Sequence, residues 1–175
     1  MVSHNIKLFL WIAVALLATS ARGEILERCD LIQKAQTEGA INPTLVLAIS
    51  EIESSRNTKA IGKQDPRDIH YGLMQLKLGT ARMLGFRGRP KSLFQAQTNL
   101  ALGIKYLNQK LNQYHSIEAA AAAYNAGAAY PCKKVHKECK GKRFVNQDYV
   151  DAVVAEYKKY EKKKGCVEPL HRATI

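Results

Sequence analysis

Acidic residues are scarce in this chain. Its 175 residues hold 15 Asp+Glu against 27 Lys+Arg, a formal net charge of +12 at pH 7. Such an excess favours an anionic partner: nucleic acid, a membrane surface or an acidic cell-wall polymer. Cysteine is limited to four residues, too few for a miniature scaffold held by disulfides alone. Alternating apolar and polar stretches of useful length are missing, and so are internal repeats, which excludes a sandwich, a barrel or a solenoid. Aromatic residues make up 7% of the chain and are not interleaved with the lysines. A nucleic-acid surface built on base stacking is therefore not expected. What remains is a 46% hydrophobic share, enough to exclude a disordered chain, in a length that suits one domain.

The longest apolar run, Leu8–Ala18, covers 11 residues, where a membrane-spanning helix needs about 20. It follows Lys7 and precedes Ala18-Thr19-Ser20-Ala21, the three-part pattern of a secretory signal. Residues 1–23 are expected to be that signal, and 24–175 the mature domain. Cleavage after Gly23 removes Lys7 and Arg22 and no acid, lowering the +12 by two, to +10. A retained short anchor is the alternative; after cleavage no stable membrane span is expected. Export to the periplasm or cell envelope makes wall polymer a better partner than nucleic acid. It also lets disulfides persist. Of three possible pairings, Cys132–Cys139 would close a lysine-rich loop and Cys29–Cys166 would tie the chain ends. A metal site from Cys132, His136 and Cys139 lacks a fourth ligand. No metal and no cofactor is expected.

Between these features the spacing predicts helices. They cover Ile25–Ala35, Thr44–Ser54 behind an Asn42-Pro43 cap, Met74–Leu84, Ser92–Tyr114, the alanine-rich Ile117–Tyr124 and Gln147–Lys163. Residues 57–71 are polar, hold Gly62 and Pro66, and read as a loop. The fold class is all-α, and no exposed apolar stripe demands a partner, so a monomer is expected.

The end of the second helix carries two carboxylates, Glu51 and Glu53. Two residues of helix are about 200° of rotation, so they cannot act as a pair; one can face solvent while the other faces a cleft. Glu53 is the better cleft candidate. It stands at the negative end of the helix dipole, which with partial burial raises a carboxyl pKa, as a general acid near neutral pH requires.

Four motifs then follow in order: Ile52-Glu53-Ser54-Ser55-Arg56-Asn57-Thr58, Gly72-Leu73-Met74-Gln75-Leu76, Thr80-Ala81 and Ala123-Tyr124-Asn125-Ala126-Gly127. Together they resemble the soluble lytic transglycosylase (SLT) family, which shares the lysozyme-like helical fold with goose-type lysozymes. Asn99, Gly103–Leu107 and Asp148-Tyr149-Val150 look like its middle and closing segments. The resemblance covers residues 41–160, leaving a basic tail at 161–175.

The resemblance implies a peptidoglycan-cleaving enzyme with Glu53 as its single acid/base, cutting between N-acetylmuramic acid and N-acetylglucosamine and closing a 1,6-anhydro ring. It implies that Ser54 orients Glu53 or the substrate, and that Met74 and Gln75 line the sugar cleft. Tyr124 would place its hydroxyl near Glu53, and Asn125 would hold its loop or touch sugar. Arg56 and Thr58 depart from the family, which often has an aromatic residue and a proline there. Residues 62–71 are longer than the minimal version and hold Asp65, Asp68 and His70, candidates for substrate peptides or for activating water. That leaves a goose-type lysozyme hydrolase and a non-catalytic peptidoglycan-binding module as alternatives. By analogy, a small enzyme of this kind would serve a secretion, pilus or conjugation apparatus.

Overall fold

The computed structural model describes residues 24–65, 68–133 and 141–162. The expected signal at 1–23, Cys139, Cys166, His136 and the tail beyond Lys162 lie outside the described residues. Among the described residues six α-helices carry the fold, in the order α1 (Arg28–Thr37), α2 (Pro43–Ser54), α3 (Leu78–Met83), α4 (Ala96–Tyr114), α5 (Ile117–Ala126) and α6 (Gln147–Lys162). A 3-10 turn, Pro90–Phe94, leads into α4. Among the described residues no helix is long and apolar enough to cross a membrane.

The centre is α2. Asn42 caps it by accepting from the Leu45 amide at 3.0 Å, and Pro43 occupies the first turn, where a missing N–H does no harm. Six consecutive residues, Leu45 to Ser50, are buried, so the helix is covered on every side. Its neighbours α1 and α6 pack on it, and α5 is held between α4 and α6. The alanines 119–123 of α5 are all buried; small side chains let the flanking helices approach. Leu31, Leu47, Ile49, Leu73, Leu100 and Leu107 supply much of the shared core.

The described part of residues 57–71 corrects the loop reading. A three-stranded antiparallel sheet has the order β1 (Ile61–Asp65), β2 (Asp68–Tyr71), β3 (Leu76–Lys77). Ile61 pairs with Tyr71 and His70 with Lys77. Every β2 residue is half-buried, so neither face is dedicated to the core and no alternation is written into the sequence. Backbone pairing, with Leu76 of β3 buried as an anchor, makes these strands. The helix expected over Met74–Leu84 accordingly starts only at Leu78, after β3.

One buried asparagine joins sheet to helices. Asn99 on α4 donates to Tyr71 O (2.7 Å) and Leu93 O (2.8 Å) and accepts from Met74 N (2.8 Å). Gly72 has φ +70°, and a Cβ there would meet Leu93 O at 2.7 Å and Asn99 Nδ2 at 2.9 Å. No other residue fits this crossing.

Candidate active site

The last turn of α2 delivers Glu53 to a cleft of about 370 Å³. Its walls come from His70 and Lys77 of the sheet, Thr80 and Met83 of α3, Tyr106 of α4, and residues 124–127 closing α5. Glu53 is the only carboxylate among the described residues lining it. Burial drives its carboxyl up from an ordinary 4.5 to about 7, against a hydrogen bond from Tyr149 that favours the charged form. The Tyr149 hydroxyl donates to Glu53 Oε1 at 2.7 Å. Glu53 is thus poised to hold or release a proton near neutrality.

The other expected site residues divide by what they touch. Tyr124 is buried and electrostatically close to Glu53, yet its hydroxyl donates to Met74 O at 2.8 Å. Gln75 lines the cleft in a left-handed conformation, φ +47°. Its amide donates to Gly72 O (2.7 Å) and Ala60 O (3.2 Å), fastening the start of β1 to the turn. Ser54 Oγ lies 2.7 Å from Leu73 O and 3.2 Å from Ser50 O. It joins the end of α2 to the segment carrying Gln75. Met74 is fully buried, and its side chain occupies the space a Cβ at Gly103 would need, so it fills core. Asn125 lines the cleft and accepts from Asn146 Nδ2 at 2.9 Å, while the same amide reaches Ala122 O.

Glu51 does not face solvent as the helix rotation suggested. Its side chain is 13% exposed and meets Arg28 Nε at 2.8 Å and Arg56 Nε at 2.9 Å; Tyr160 donates at 3.0 Å. Arg56 also donates to Leu26 O. Thr58 is buried, and its hydroxyl accepts from the Glu24 amide at 3.1 Å. The two departures from the family pattern thus fasten residues 24–26 to the end of α2, and neither lines the cleft. Asp68 pairs with Lys77 at 2.7 Å and approaches His70 Nε2 at 3.7 Å. Asp65 is described by its backbone alone.

Residue-level reasoning missed Tyr149 as the partner of Glu53. The signal was available: Tyr149 falls four residues before Val153 and eight before Tyr157, at helical spacing on the face of α6 that packs on the core. A tyrosine on such a stripe needs a partner for its hydroxyl.

Among the described residues no group of three or more His, Cys, Asp or Glu could hold a metal ion. Cys29 and Cys132 are not free thiols. A larger groove of about 550 Å³ lies between α1 and the start of α4; none of the four motifs contributes to it.

The transglycosylase SLT domain matches residues 30–145, well over half of the sequence. The chain belongs to the SLT transglycosylase family. Membrane-bound lytic murein transglycosylase C of Photorhabdus laumondii is 34% identical over 113 residues, 56% of this chain and 30% of that protein. In fold, an inactive mutant of the lytic transglycosylase Slt from Pseudomonas aeruginosa superposes with a TM-score of 0.63 at 24% identity. That match takes in 83% of this chain and 25% of the other. The 70-kDa soluble lytic transglycosylase of Escherichia coli gives 0.58 at 25% identity, covering 77% and 24%. The SLT fold is the helical, lysozyme-like one, and the small sheet is its minor part. This chain spans less than a third of the length of each of these relatives.

Proposed function

We propose that this SLT-family chain is a peptidoglycan lytic transglycosylase with Glu53 as its single acid/base. The observation that carries the proposal is a lone cleft carboxyl raised to about 7. Protonated Glu53 gives its proton to the oxygen between N-acetylmuramic acid and N-acetylglucosamine, and the C1–O bond breaks. The N-acetyl carbonyl of the muramic residue stabilises the positive C1. Ionised Glu53 then takes the proton of the C6 hydroxyl while O6 bonds to C1. The product is a 1,6-anhydro ring and the acid is restored. The substrate thereby replaces the second carboxylate of ordinary glycosidases.

Hydrolysis on the same fold needs a group that activates water. Asp68, one candidate, is held by Lys77 and does not line the cleft, which favours the transglycosylase over a goose-type lysozyme. The test is mass spectrometry of products from purified peptidoglycan. Muropeptides ending in 1,6-anhydromuramic acid are expected. Reducing ends, heavier by one water, would make the protein a lysozyme, and binding with no products would make it a glycan-binding module. With this activity the chain works in the periplasm or envelope, after removal of residues 1–23, as a monomer. The proposed pairings are Cys132–Cys139 and Cys29–Cys166. Intact-mass analysis without reductant should then find no free thiol.

A further inference from the structure

The groove of about 550 Å³ between α1 and the start of α4 shares no lining residue with the Glu53 cleft. In a chain of net charge +12 its lining is acidic: Glu24, Asp30 and Glu38 against the single cation Lys34. None of these three carboxylates makes an ion pair among the described residues. Leu26, Ala96 and Leu100 add apolar surface to the same groove. Such a groove suits a basic segment that carries apolar side chains of its own. The end of α6 arrives at the head of this groove. Tyr160 Oη accepts from Arg28 Nε at 3.0 Å, and the Arg28 guanidinium lies 5.7 Å from the centre of the Tyr160 ring. Lys162, where α6 ends, therefore stands near the first turn of α1. The next residue on that turn, Cys29, is not a free thiol. Cys29 falls four and eight residues before Gln33 and Thr37, the spacing of one helix face, and both of those line the groove.

Building on the Cys29–Cys166 pairing put forward above, we propose that residues 163–175 of this chain lie along the groove as a strap. In this segment Lys163, Lys164 and Arg172 stand against the one acid Glu168, and Val167 and Leu170 supply apolar side chains. With Cys166 pinned at Cys29, Val167 and Leu170 meet Leu26, Ala96 and Leu100, and Arg172 reaches Glu38. The lengths agree. The ten residues of α1 measure about 15 Å, and the chain from Cys166 to Arg172 extends to about 20 Å. Other occupants fit less well. A neutral sugar strand gains no attraction from three carboxylates, and an anionic bilayer is repelled by them. A basic segment of another chain has to be captured from solution, whereas a bridged one is present at an effective concentration of about millimolar. The strap lies against Leu26, within the segment 24–26 that Arg56 and Thr58 fasten to the end of α2. It thus braces the helix end that carries Glu53 from the outside.

The test puts an amine at the far end of the strap, where the bridge alone does not hold it. Unreduced Arg172→Lys is treated with a carbodiimide, which joins an amine to a carboxylate in contact with it, and the cross-links are mapped by mass spectrometry. Position 172 is expected to couple to Glu38 within one chain, at about ten times the yield to the exposed Asp148 and Asp151. In Arg172→Lys/Val167→Ser/Leu170→Ser the strap loses its apolar contacts, and the Glu38 yield should fall to within about twofold of those acids. Equal coupling to Glu38 and to the exposed acids in the single variant, or coupling only between two chains, would overturn the inference. So would a Glu38 yield that the two serines leave unchanged. Peptide mapping of the same samples reports the bridge. Cys166 joined to a cysteine other than Cys29 ends both the pairing and the strap, while an intact bridge without the Glu38 cross-link ends the strap alone.

Discussion

Glu51 and Glu53 stand two residues apart on the last turn of α2, and the fold moves their pKa values in opposite directions. Burial pushes both carboxyls up. At Glu51 hydrogen bonds from Tyr160, Arg56 and Arg28 outweigh that push, and the group ends below its ordinary value. At Glu53 one neutral tyrosine is the opposing group, and it is not enough. Burial alone does not decide the role of a carboxylate; the number and charge of its donors do. One face of the helix end is a clamp that fixes residues 24–26 and α6. The other is a proton store opening on a cleft.

Replacing the store should have the largest effect. Glu53→Gln keeps the shape and removes the proton, and its kcat/KM on peptidoglycan should fall by about 10³-fold or more. Activity within a few-fold of wild type would end the assignment of Glu53. The same substitution tests the energetics. A carboxyl raised from 4.5 to about 7 binds its proton more tightly folded than unfolded. Its ionisation therefore removes stability as pH rises from 4.5 to 7, by up to about 3 kcal/mol once above 7. Glu53→Gln should be more stable than wild type at pH 8 by up to that amount and equal to it at pH 4. Denaturant titrations at the two pH values measure this. A variant no more stable at pH 8 would mean that burial of Glu53 is relieved by water.

The two faces were not equally legible in the sequence. The motif around Glu53 and its place at a helix end were visible, and the helices followed from apolar spacing. The ion-pair clamp was not, because Arg28 and Tyr160 lie 23 and 109 residues from Glu51 and no local pattern links them. Rotation by about 200° told correctly that the carboxylates part, but not that Glu51 would meet a second buried surface. The sheet escaped for a different reason. Residues such as Gly62, Lys63 and Asp68 have low strand preference, and among the described side chains of the sheet only Leu76, on β3, is a buried anchor. Tyr149 was hidden by distance, since it lies 96 residues from Glu53 and no local pattern links the two.

Tyr149 sets how far Glu53 resembles Glu51, and removing it should sharpen the contrast. The hydroxyl donates to Glu53 and favours the carboxylate. In Tyr149→Phe the carboxyl pKa therefore rises further, and the alkaline fall of kcat/KM, expected near pH 7 in the wild type, moves to higher pH. Orientation of Glu53 is lost at the same time, so kcat should drop by about tenfold, roughly the worth of one charge-assisted hydrogen bond. A pH–rate profile separates the two effects. A fall in kcat with an unmoved limb would make Tyr149 a packing residue; a limb moved to lower pH would contradict the hydrogen bond itself.

The smallest change is expected on the clamp face. Glu51→Gln leaves Glu53 and the cleft residues in place, so kcat/KM should stay within about threefold of wild type. Stability is a different matter. Arg56 is largely buried against Glu51, with side-chain exposures of 12% and 13%. Loss of the charge should therefore cost about 1–3 kcal/mol at pH 7. The sign with pH is opposite to that at Glu53. A depressed carboxyl contributes stability above its unfolded value of 4.5 and loses it as pH falls through the lower folded value. The difference between wild type and Glu51→Gln should thus shrink on acidification, while that for Glu53→Gln grows as pH rises. If both variants showed the same pH trend, the two carboxylates would share one environment and the division of the helix end into clamp and proton store would be wrong.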